Sequence, residues 1–96
     1  MNEPLLKNKE MKQLYKAVLK LKTEQEVMNF LRDLCTLSEL EVMAERLEVA
    51  KEIVAKKPYR TISERTGSST ATITRIAYWL HHGKGGYQTV LDRLRS

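Results

Sequence analysis

The chain has 96 residues, 42% of them apolar, one cysteine and a net charge of +5. That length suits one small domain whose core is marginal alone, which leaves room for an oligomer. The lone Cys35 excludes an intrachain disulfide and a cysteine-based zinc cluster, and it fits a reducing, cytoplasmic setting.

The opening MNEPLLKNKEMKQL scatters charges among its apolar residues, so it has neither the apolar run of a signal peptide nor transmembrane length. Two prolines and four glycines punctuate the sequence and strand-like alternation is absent, so the reading is all-α. Leu14, Tyr15, Val18, Leu19 and Leu21 mark a first amphipathic helix over about Leu5 to Lys22. Residues 1–22 carry six lysines against two glutamates, +4.

TEQE offers Thr23 as N-cap and Glu26 three residues on, a capping box opening a helix that buries Val27, Phe30, Leu31 and Leu34. A second box, Thr36 with Glu39, opens a third helix with the stripe Leu40, Met43, Ala44, Leu47, Ala50 and Val54, which Pro58 stops. Residues 23–55 carry three basic and eight acidic groups, −5. Those carboxylates read as capping and solvent positions, and no constellation for catalysis emerges. A third box, Thr61 with Glu64, predicts a helix of about two turns ended by Gly67.

Gly67 supplies the positive φ of a tight turn, and Ser68 or Ser69 can cap the next helix, which runs to about His82. Ile73, Ile76, Ala77 and Leu80 fall at i, i+3, i+4 and i+7 and predict one buried stripe. The opposite face then carries Ala71, Thr74, Arg75 and Tyr78, with Ser69 and Thr70 at its exposed N-terminal end. GKGG is a turn, lacking the strand and the Ser/Thr of a phosphate-binding loop, and Tyr87, Val90, Leu91 and Leu94 face a last short helix. Adjacent His81 and His82 point apart and cannot share a metal; they suit a helix C-terminus. Residues 56–96 carry eight basic groups against Glu64 and Asp92, +6, and none of the residues between those two is acidic.

Short helix, glycine turn and second helix make a helix-turn-helix over residues 59–82. The acid-free basic tract between Glu64 and Asp92, which holds its turn and second helix, points to double-stranded DNA. Tyr59 and Arg60 are expected at the backbone. Ser68, Ser69 and Thr70 should hold phosphates or base edges, while Ala71, Thr72, Thr74 and Arg75 do most of the reading. An ordinary helical hairpin with a polar outer face, used to dock a protein, is the alternative. So is an architectural DNA-binding module with little sequence preference.

The residues LCTLSELEVMAERLEVAKEI (Leu34 to Ile53) and ATITR (Ala71 to Arg75) resemble the Trp-repressor family, in its small YerC-like branch. The resemblance covers about Leu34 to Leu94. It implies a six-helix subunit whose residues 1–55 form a helical dimerisation core interlocked with a partner's in an intertwined homodimer. Residues 59–82 would then be the reading head and 86–96 the C-terminal helix of one domain spanning 1–96. It implies a nucleoid-associated transcriptional regulator, a repressor rather than an enzyme, on a two-fold symmetric operator.

In the family, free tryptophan is a corepressor held between two arginines, which match Arg46 and Arg75; the threonine before the long helix matches Thr36. Two positions depart from the pattern: a glycine is Ile76 here and a serine is Trp79. Both add bulk where the ligand would lie, so the expectation is no cofactor and DNA binding without tryptophan. Trp79, four residues after Arg75, is expected either to stack on that arginine as a built-in indole or to pack the hairpin against the last helix.

Overall fold

The computed structural model describes residues 3–95, and every regular element among them is helical. A short 3-10 helix, Glu3–Lys7, precedes α1 (Lys9–Leu19), α2 (Glu24–Leu34), α3 (Leu37–Val54), α4 (Tyr59–Thr66), α5 (Thr70–His82) and α6 (Gly86–Leu94). These residues divide into two compact units between Leu40 and Glu41.

In the first unit the caps decide where helices start. The single helix expected over Leu5–Lys22 is broken at Asn8, whose side chain accepts the Met11 N–H at 2.8 Å and starts α1 afresh. Lys20 and Leu21 turn back onto the carbonyls of Ala17 and Val18, ending it early. Thr23 caps α2 as predicted, accepting the Glu26 N–H at 3.1 Å, but the Glu26 carboxylate reaches one residue further, to the Lys22 N–H. The Thr36–Glu39 box closes in both directions at 2.8 and 3.1 Å, and those bonds hold the Glu39 carboxyl below its usual range. Neither α1 nor α2 buries a single residue; Val18, Leu19, Met28 and Leu34 all stand exposed.

The second unit has a filled core. Val49 and Ala50 of α3, Ile62 of α4, Ile73 and Ile76 of α5 and Leu91 of α6 are buried together, with Leu47, Ile53, Val54 and Tyr87 packed around them. The α3 stripe is therefore used unevenly: Ala50 is buried and Val54 half-buried, whereas Met43 and Ala44 are exposed. With no glycine at its end, α3 closes on Lys56 in the left-handed region (φ 63°), and the Lys57 N–H returns to the Glu52 carbonyl at 3.1 Å. The third capping box does not form. Pro58 is itself the cap residue and α4 begins at Tyr59, so Thr61 and Glu64 lie inside the helix.

One charged group sits in this core. Glu52 is 2% exposed, and its carboxylate is gripped by the Arg65 guanidinium from the last turn of α4, Nε donating to Oε1 at 3.1 Å and Nη2 to Oε2. Arg65 Nη2 also donates to Glu48, and Lys57 Nζ stands 3.6 Å from Glu52. A buried carboxylate so paired stays ionised: Arg65 draws the Glu52 carboxyl down from 4.5 to about 2. A carboxyl whose folded pKa is depressed contributes stability above its unfolded pKa and loses it on acidification. The thermal midpoint should therefore fall as pH drops from about 4.5 towards 2, the window set by that shift. Melting curves over that range should show a weaker pH dependence for Glu52→Gln; an unchanged dependence would assign the acid sensitivity elsewhere.

Candidate nucleic-acid interface

The turn between α4 and α5 is built from hydroxyls around one glycine. Gly67 ends α4 at φ 82°, donating its N–H to the Ser63 carbonyl at 2.9 Å, in a conformation that disfavours any residue with a Cβ. Thr66 Oγ1 donates to the Ile62 carbonyl at 2.7 Å and accepts the Ser68 N–H at 3.2 Å. Ser69 caps α5: its Oγ accepts the Thr72 N–H at 3.1 Å and donates to Thr72 Oγ1 at 3.0 Å.

Beyond the cap, α5 sorts its residues as the periodicity predicts. Ile73, Ile76 and Ala77 are buried and Leu80 is half-buried. Ser69, Thr70, Ala71, Thr72, Thr74, Arg75 and Tyr78 are exposed, so one short-chained face projects outward from a fixed stripe. Thr74 is exposed, and its Oγ1 donates to the Thr70 carbonyl at 2.9 Å. Among the described residues no carboxylate pairs with Arg75. Tyr59 and Arg60 are exposed at the start of α4, Arg60 only loosely near Glu64 at 3.9 Å.

Ser68 differs from its expected role. It is 6% exposed and its hydroxyl donates to Glu45 Oε1 at 2.6 Å, so it faces α3 rather than an outside partner. The neighbouring cap residue, Ser69, takes the exposed place because the αL turn at Gly67 rotates Ser68 inward. The middle-segment carboxylates also differ: Glu45, Glu48 and Glu52, read as solvent or capping positions, form a row at i, i+3 and i+7 on α3 that faces α4 and the turn. That spacing, with an arginine closing α4, was the available signal.

Trp79 stands beside Tyr78 and at the groove next to α6. Its ring meets Tyr78 edge-on, centroids 5.3 Å apart at 87°. With Leu47, Tyr87 and Val90 it lines an open apolar groove of about 520 Å³ that adjoins Gly83 and Gly86. Gly83 is required where α5 stops, since a Cβ there would lie 2.4 Å from the Trp79 carbonyl oxygen. Tyr78 also lies against His82, centroids 4.8 Å apart, at the helix C-terminus. Of the remaining effector candidates, Arg46 is exposed on α3, and the Thr36 hydroxyl is engaged as the α3 cap. Among the described residues no His, Cys, Asp and Glu group could hold a metal, and no helix is long and apolar enough to cross a membrane.

The model of the family described as Trp repressor protein matches residues 9–95. The YerC protein of Bacillus subtilis (strain 168) is 41% identical over 91 residues, 95% of this chain and 88% of that protein. The crystal structure of a TrpR-like protein from Eubacterium eligens ATCC 27750 superposes with a TM-score of 0.91 at 40% identity, covering 96% of this chain and 95% of that one. A crystal structure from Staphylococcus aureus matches with the same TM-score at 37% identity, covering 99% and 95%.

Because Ser69 alone caps α5 with its side chain, Ser69→Ala should lower stability by about 1 kcal/mol. Urea denaturation checks this; an unchanged midpoint would mean that the cap contributes nothing to the fold.

Proposed function

The chain belongs to the Trp repressor family, and on that premise we propose that it is a sequence-specific transcriptional repressor reading a two-fold symmetric operator as a homodimer. Membership supports a DNA-binding regulator of the Trp repressor type rather than an enzyme. The observation that carries the finer reading is the outward face of α5. Ser69, Thr70, Ala71, Thr72, Thr74 and Arg75 are exposed, short or cationic, and held in register by buried Ile73 and Ile76. Such a face enters a major groove closely, with hydroxyls for phosphate and base edges and a guanidinium for guanine. Tyr59 and Arg60 supply backbone contacts from α4. A cytoplasmic, nucleoid-associated location follows from this role.

The homodimer is supported by what the first unit lacks. Apolar stripes on α1 and α2 with no buried residue call for a second apolar surface. Independence from tryptophan is supported by Ile76, 4% exposed in the core where the family has glycine, and by Trp79, seated against Tyr78 where it has serine.

Selection from a random duplex pool tests the main reading: a palindromic motif is expected, and a pool without enrichment would overturn it. Affinity for the selected site should fall steeply with salt, in proportion to the phosphates neutralised. Thr74→Ala or Arg75→Ala should weaken binding to that site by about 1–3 kcal/mol wherever the side chain meets a base. Free tryptophan should leave the affinity unchanged; a gain of about tenfold, ~1.4 kcal/mol, would restore the corepressor.

A further inference from the structure

Beside the apolar core that Ile62, Ile73 and Ile76 share with Val49 and Ala50, polar side chains tie the helix-turn-helix to α3 at two places, at the end of α4 and just before α5. Arg65 fastens the end of α4 to Glu48 and Glu52. Past that point the chain enters Gly67, whose missing Cβ faces open space, so packing does not hold the turn there. The next anchor is Ser68, buried, with its hydroxyl on the Glu45 carboxylate at 2.6 Å. An O–H donor on a carboxylate at that length is a charge-assisted bond, stronger and more directional than a neutral one. Ser69, the very next residue, caps α5, and its Oγ and carbonyl accept the Thr72 and Ile73 N–H groups.

We propose that Glu45 is a positioning residue for DNA recognition: through the Ser68 hydroxyl it sets the angle at which the α5 N-terminus is presented. This rests on the DNA-binding reading above. The assignment has a sign that charge alone does not. A carboxylate close to a phosphate-binding face opposes binding, so removing it should strengthen DNA affinity by simple electrostatics. Removing a positioning contact should instead weaken the selected site while leaving non-specific duplex unaffected, because base contacts need the correct approach and phosphate attraction does not. Glutamine keeps an acceptor oxygen for Ser68 and lacks the charge, which separates the two effects.

The test measures affinity for the selected site and for random duplex with full-length Glu45→Ala, Glu45→Gln, Ser68→Ala and the Glu45→Ala/Ser68→Ala double variant. Glu45→Ala and Ser68→Ala should each lower the specific-to-random ratio about tenfold, and the double variant should lose no more than either. Glu45→Gln should keep the ratio within about twofold of the parent. Equal tightening by Glu45→Ala and Glu45→Gln, or additive losses in the double variant, would overturn the proposal. Hydrogen exchange in the free protein provides an arm that does not depend on DNA. The Thr72 and Ile73 amides should exchange faster in Glu45→Ala and Ser68→Ala but not in Glu45→Gln, and equal rates in all variants would overturn it. A parent protein that prefers no duplex would instead sink the DNA-binding reading, leaving the exchange result to decide the role of Glu45 in the fold.

Discussion

The second unit depends on one buried carboxylate being matched. Glu52 is 2% exposed, where an unpaired negative charge would be strongly unfavourable, and Arg65 makes the position tenable. The pair is also a geometric instruction. Arg65 can meet Glu52 and Glu48 together only if the last turn of α4 lies along the C-terminal half of α3. Apolar contacts alone, such as Ile62 on Val49, would tolerate sliding by a fraction of a turn; a guanidinium shared by two carboxylates does not. The segment from α4 through the Gly67 turn to α5 therefore has a registered seat on α3, and the polar pair specifies position as well as adding stability.

From that seat the outward face of α5 follows by short steps. Gly67 turns the chain, Ser68 goes inward to Glu45, Ser69 caps α5, and Ile73 and Ile76 enter the core. Each step consumes the polar group that would otherwise compete for the next one. The Thr66 hydroxyl serves the turn and the Ser69 hydroxyl serves the helix start, while Thr70, Thr74 and Arg75 stand exposed. A tract rich in hydroxyl residues thus divides into structural and presented members. The division is set by which direction the turn rotates each residue.

The first unit has the opposite character. Its helices are well started by Asn8, Thr23 and Thr36, yet α1 and α2 enclose nothing. Capping is a local transaction between residues three apart and proceeds whether or not a core exists. Filling the stripes requires surface from elsewhere, and the intertwined dimer proposed for this chain would supply it. One unit thus has a sealed core and the other open apolar stripes.

Much of this is legible in the sequence alone. The all-α class, the Thr23 and Thr36 caps, the Gly67 turn and the buried stripe of α5 follow from periodicity and from side chains acting within four residues. These interactions are short in sequence, so the sequence by itself determined them. The breaks at Asn8 and Pro58 were the local exceptions, because a strong cap or a proline overrides an apolar pattern that runs across it. What only the tertiary structure decided were the contacts that cross between helices: Ser68 turned to Glu45, Glu52 buried under Arg65, and Trp79 brought beside Leu47, Tyr87 and Val90. A polar side chain has several partners of equal chemistry within reach, and only the packing of α4 and α5 on α3 selects which one it meets.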